Sequence, residues 1–141
     1  MSLNLSRRLP IQLILIACVA SGAFLLAGCS SRAQRAENYY KEGMSYLEKQ
    51  DFVKARIQLR NALQLKGDMV EAWRGLVKID EHDRNIPGLA GDLRRVVELD
   101  PKDLTSTLAL TRLLLLGGSF DEALKLTNAA LDLEPNNAET F

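Results

Sequence analysis

Apolar and polar positions follow two regimes along this chain. From Leu9 to Leu26 the residues are almost all apolar, interrupted only by Pro10, Gln12, Ser21 and Gly22. From Ala36 onward apolar residues return three, four and seven places apart, which gives a helix one buried stripe. That second regime also repeats. Segments starting at Ala36, Val70 and Leu104 are 34 residues apart and carry matching residues at matching places. The fourth place holds Tyr39, Trp73 and Thr107, and the seventeenth holds Phe52, Ile86 and Phe120. The twentieth holds Ala55, Leu89 and Ala123; the twenty-fourth Leu59, Leu93 and Thr127; the twenty-seventh Ala62, Val96 and Ala130. Gly67, Pro101 and Pro135 at the thirty-second place stop helices. A generic helical bundle explains the spacing but not the fixed period.

Local signals divide each segment into two helices. Asp51, Asn85 and Ser119 stand where the second helix of each unit begins and are suited to cap it. Ser119-Phe-Asp-Glu122 has the form of a capping box, and Asp68-Met-Val-Glu71 an acidic version of one. Gly117-Gly118 marks the turn between the helices of the third unit. The second unit departs from the others. Val77 stands at the eighth place facing Leu89, Asp80 stands at the eleventh where an apolar residue is expected, and Pro87, Gly88 and Gly91 weaken its second helix. Pro87 falls in the first turn, where its missing N–H is not needed. The second helix pair is therefore expected to be splayed and less stable than its neighbours.

The period and pattern together resemble the tetratricopeptide repeat (TPR), over residues 36–135. The implied fold class is all-α, a TPR-type α-solenoid of antiparallel helix pairs A and B. Repeats are expected at residues 36–69, 70–103 and 104–137, with 138–141 opening a fourth. Phe141 stands at the aromatic fourth place of that repeat and Asn137 at its N-cap. The expectation is an N-terminal fragment of a longer repeat protein, with the apolar face of the third B helix exposed.

The first regime has a different meaning. Arg7 and Arg8 precede the apolar run, and Leu26-Ala27-Gly28 precede Cys29. A basic start, an apolar middle and a small residue before a cut site make a secretory signal over residues 1–28. An uncleaved transmembrane anchor is the alternative, since the run nearly reaches the ~20 residues a span requires. Leu26-Ala27-Gly28-Cys29 resembles the lipobox of bacterial lipoproteins at all four positions. The resemblance implies recognition of Leu26, Ala27 and Gly28 by a signal peptidase and acylation of Cys29. Two or more acyl chains hold a protein stably in a membrane where one does so only marginally. With Ser30 rather than aspartate after Cys29, enterobacterial sorting implies the outer membrane, facing the periplasm. Residues 29–35 read as the lipidated N-terminus and a short polar tether.

Composition then excludes several chemistries. Beyond residue 28 there are 16 Lys and Arg against 18 Asp and Glu, which gives nucleic acid no basic face. Cys18 lies in the discarded signal and Cys29 is consumed by lipid, so no disulfide forms. The lone His82 has no cysteine or second histidine near it and reads as a surface histidine. Asp80, Glu81 and Asp83 beside Arg84 read as a solvated helix end. There is no Gly-rich phosphate loop after a strand, no G-x-S-x-G and no H-E-x-x-H. The chain reads as non-enzymatic, with no cofactor beyond the lipid and no small-molecule substrate.

The TPR resemblance also nominates a site. Concave-face places hold Tyr40, Met44 and Leu47 in the first repeat, Arg74 and Lys78 in the second, and Leu108, Arg112 and Leu115 in the third. They would form an apolar groove with a basic strip, suited to a protein partner with apolar side chains and a few carboxylates. Alternatively, Leu115 and Leu116 pack on a following repeat and the basic residues pair with Glu71 and Glu81. Tyr40 and Met44 replace the lysine and asparagine of the family's C-terminal-carboxylate clamp, so that mode is absent. The stretch Val53–Gln64 after a lipobox resembles TPR lipoproteins of exopolysaccharide-linked (PEP-CTERM) protein-sorting systems. The expected role is a membrane-tethered scaffold in an envelope export or assembly system. Alternatives are an outer-membrane or pilus assembly lipoprotein, or the targeting module of a longer enzyme.

Overall fold

A computed structural model describes residues 32–133. Six helices account for the described residues, with no strand among them. Helix α1 covers 32–48, followed by α2 (Phe52–Leu65), α3 (Val70–Asp83), α4 (Ile86–Leu99), α5 (Leu104–Leu116) and α6 (Phe120–Leu133). The second helices of the pairs start at Phe52, Ile86 and Phe120, each 34 residues after the last. The signal segment, Cys29 and the start of a fourth repeat lie outside the described residues. One expectation changes here: residues 32–35, assigned to the tether, are helical. Nothing in Arg32-Ala-Gln-Arg35 breaks a helix, and Arg32 gains partners there. Its Nε donates to the Leu65 carbonyl at 3.1 Å and its terminal nitrogen to that of Gln64 at 3.5 Å. These are free carbonyls at the end of α2, where a cation is favoured.

Caps set several starts. Asp51 accepts from the Lys54 N–H at 3.2 Å, Asn85 from that of Gly88 at 3.4 Å, and Asp103 from that of Ser106 at 3.0 Å. The two expected capping boxes are not made. Met69 is the N-cap of α3 and offers no side-chain acceptor. The Ser119 N–H donates to the Leu114 carbonyl at 2.8 Å, while Glu122 reaches away to Arg94 of α4 at 2.8 and 3.0 Å. A bidentate ion pair between helices replaces a local bond. The A-to-B turns share one conformation at equivalent places: Gln50, Arg84 and Gly118 all have positive φ, at 60°, 54° and 77°. Glycine alone takes that region freely.

Packing follows the small residues. Leu59 of α2 is fully buried between two glycines. A Cβ on Gly43 of α1 would lie 2.9 Å from its Cγ, and one on Gly75 of α3 would lie 2.7 Å from its Cδ1. These glycines let α1 and α3 close on either side of one leucine. A second core gathers Leu89, Leu93, Leu110, Leu114 and Ala123 from α4, α5 and α6.

The splayed second pair does not occur. α3 and α4 are at least as closely apposed as α5 and α6. Gly88 is one reason, because any Cβ there would run into the Asp80 carboxylate and the Asn85 amide. Its bare backbone lets the first turn of α4 seat on α3. Val77 packs on the Leu89 cluster without forcing the helices apart. Nor is Asp80 solvated: it is 1 % exposed and ion-paired with Arg56 of α2. Arg56 also holds Asp83 at 2.8 Å. At the far end, Phe120 of α6 is 66 % exposed, whereas Phe52 at the same repeat place lies under the His82 ring, with centroids 3.8 Å apart.

Candidate functional site

The nominated concave-face residues divide by their neighbours. Tyr40, Met44 and Leu47 are half-buried against the first core. Burial pushes the Tyr40 phenol pKa up, and the Glu71 and Glu37 carboxylates push it further. Met44 Sδ lies 3.5 Å from where a Gly75 Cβ would be. The α1 and α3 positions therefore adjoin on one face. Leu108 is half-buried, and Leu115 is 49 % exposed.

The basic strip is reduced. Arg74 Nε donates to Asp103 at 3.0 Å and its terminal nitrogen to Asp100 at 2.7 Å. Burial pushes the Asp103 carboxyl up, but the Ser106 N–H and the Arg74 guanidinium outweigh it and hold it below the usual range. Arg74 is thus a strut tying α3 to the turn before α5, and its carboxylates come from that turn rather than from Glu71 or Glu81. Lys78 and Arg112 are exposed and make no ion pair among the described residues. His82, on the same helix, is committed to stacking on Phe52 and sits 3.0 Å from Asp83. No cluster of three metal-ligating side chains occurs among the described residues.

A cleft occurs among residues outside the expected site. A cleft of about 380 Å³ runs between Arg60, Leu63 and Gln64 of α2 and Asp92 of α4, with Trp73 and Leu76 of α3 also lining it. Arg95 lies over the Trp73 ring, 5.7 Å from its centroid. Asp92 is pushed up to about 6, chiefly by burial and then by the Asp80 carboxylate, against the opposing pull of Arg60 and Arg56. The available signal in sequence was an acidic residue one place before the buried Leu93.

That raised pKa sets a pH dependence. Between its ordinary value of 3.8 and about 6, the folded chain holds a proton that the unfolded chain has lost. Stability therefore falls as pH rises through this window and stays low above it. Asp92→Asn removes the penalty. Denaturant unfolding is expected to show the variant about 1 kcal/mol more stable than the parent above pH 6, after allowing for partial exposure, and level with it near pH 4. A constant difference across that range would contradict the assignment.

No helix among the described residues is long and apolar enough to cross a membrane. No family model and no curated protein matches the chain. Solved structures do. The TPR domain of Arabidopsis OM64 is similar at 17 % identity and a TM-score of 0.59, covering 77 % of this chain and 90 % of that one. The first TPR domain of Spaghetti (RPAP3), bound to the HSP90 peptide SRMEEVD, matches at 17 % identity and a TM-score of 0.59, covering 77 % and 86 %. The C-terminal TPR-containing domain of a Plasmodium falciparum FK506-binding protein matches at 16 % identity and a TM-score of 0.61, covering 79 % and 85 %. The chain has the fold these domains share, an all-α solenoid of tetratricopeptide type.

Proposed function

We propose that this chain is a protein-interaction scaffold of the bacterial cell envelope, held to a membrane by acyl chains on Cys29. The observation that carries the interaction reading is the face made by α1, α3 and α5. By repeat register it carries half-buried Tyr40, Met44, Leu47 and Leu108 together with the exposed cations Lys78 and Arg112. Such a face fits a partner segment with apolar side chains and a few carboxylates, each charge contact at the rim acting more on selectivity than on affinity. Two similar structures support the peptide-binding reading. The Spaghetti domain holds an HSP90 peptide, and the TPR2B domain of yeast Sti1 forms a complex with an Hsp70 ligand. With Tyr40 and Met44 at the clamp places, the partner here is gripped along its length rather than by its C-terminal carboxylate.

The envelope location rests on Leu26-Ala27-Gly28-Cys29, and Ser30 favours the periplasmic face of the outer membrane. The likeness of Val53–Gln64 to exopolysaccharide-linked sorting lipoproteins favours an export or envelope-assembly system. Cells fed an alkyne analogue of palmitate test the anchor. The chain is expected to take up label and fractionate with membranes, and Cys29→Ser to lose the label. Equal labelling of the two would refute the anchor.

A further inference from the structure

Two opposite charges line the cleft between α2 and α4 without meeting. Arg60 stands on the α2 wall and Asp92 on the α4 wall. Neither makes an ion pair among the described residues. Asp92 has a second neighbour instead. The Asp80 carboxylate of α3 lies against the bare backbone of Gly88, one turn before Asp92 on α4, and Asp92 is within hydrogen-bonding reach of it. Asp80 is buried and ion-paired with Arg56, yet no hydrogen-bond donor is aligned on its Oδ1. A protonated Asp92 supplies a donor to this carboxylate. An ionised Asp92 sets a like charge beside it.

The other charges around Asp92 are already engaged. Arg56 of α2 is held by Asp80 and Asp83, and Arg95 of α4 by Glu98. Helix α5 also packs on α4, but its one charged residue, Arg112, is not among the charges acting on Asp92. Among the described residues, Arg60 is therefore the cation free to answer an ionised Asp92. We propose that Asp92 is a latch on this cleft: protonated, it donates to Asp80 and leaves the cleft open; ionised, it turns to Arg60 and bridges α4 to α2 across it. One carboxyl group cannot do both, so the two ties exclude each other. The structure holds the open form, with Trp73 and Leu76 lining the cleft. Burial opposes the ionisation of Asp92 most, and the Asp80 charge next. Turning toward the cleft mouth relieves both, because it exchanges a buried place beside a carboxylate for a wetter one beside a guanidinium. The planar fork of an arginine suits such a contact. As pH rises through about 6, Asp92 loses its proton to solvent and the cleft closes.

Trp73 makes the closure measurable, because it is the one tryptophan in the chain and lines the cleft. Its accessibility to acrylamide, a neutral quencher, is followed across pH in the full chain. Carboxyl NMR of isotope-labelled protein follows Asp92 in the same samples. Asp92 is expected to titrate at about 6, and quenching of Trp73 to fall with the same midpoint. Arg60→Met is expected to raise the midpoint, since its pull on Asp92 is lost, and to abolish the fall in quenching. Asp92→Asn, still a donor to Asp80, is expected to keep the high quenching of the acid form at every pH. Histidine also ionises near neutral pH, so His82→Gln at the far end of α3 is the control and is expected to leave the fall in place. A fall that survives Arg60→Met, or that disappears with His82→Gln, overturns the latch. So does quenching that stays level while Asp92 titrates, or an Asp92 that titrates in the ordinary carboxylate range.

Discussion

Replacing Leu59 with alanine is expected to cost about 3–4 kcal/mol, the middle of the range for a fully buried leucine. Leu59 is sealed on both sides by helices that approach it through Gly43 and Gly75, so neither can move inward to fill the space without steric conflict of its own. For a domain of about 100 residues this corresponds to a fall of roughly 15–25 °C in Tm. The same geometry forecasts a coupling. Gly75→Ala alone forces its new Cβ onto Leu59 Cδ1, whereas in the Leu59→Ala background that methyl group enters the vacated space. The alanine also improves helix propensity there by about 1 kcal/mol. A double-mutant cycle by thermal unfolding is expected to show the second change as harmful in the parent and neutral or helpful in the variant. Additive effects would mean that the two helices do not meet through this leucine.

The second large effect is expected at Arg56. Arg56→Met leaves the buried Asp80 carboxylate without its cation, at a cost of about 3 kcal/mol or more in denaturant unfolding at neutral pH. Adding Asp80→Leu removes the stranded charge and returns the position to the apolar kind held by Tyr46 and Leu114 at the same place in the other repeats. The double variant is expected to recover most of the loss, since well-packed apolar pairs commonly equal or exceed buried ion pairs. If Arg56→Met alone were neutral, Asp80 would have to be solvated after all.

These two sites also show what the sequence made legible. The 34-residue period fixes where α2 to α6 begin, because apolar spacing and stop residues act locally, whereas α1 begins at 32, ahead of the expected start at Ala36. Gly118 announces its left-handed turn by being glycine. Gln50 and Arg84 take the same conformation with no such signal, because the flanking helices impose it. Charges were the least legible feature. Asp80 and Arg74 look like surface residues in a linear reading, yet each finds an opposite charge 24 to 29 residues away, through the repeat stacking. Glu122 was read as a local cap for the same reason, and Arg94 takes it instead. Gly75 and Gly88 ease close helix contacts that only the assembled neighbours reveal. Tyr40 and Met44, four places apart on α1, each have a neighbour on α3, and of the expected basic strip Lys78 and Arg112 make no ion pair among the described residues.

The central claim is that this face, anchored through Cys29, is where partners dock. Its most direct test places a photoreactive residue at Lys78 or Arg112, and for comparison at Arg60 on the opposite cleft or Lys125 on α6, in otherwise intact cells. Irradiation is expected to give discrete crosslinked partners from Lys78 and Arg112, lost when Cys29→Ser removes the anchor, and little from Arg60 or Lys125. Crosslinks of equal yield from all four positions, or from Arg60 alone, would contradict it.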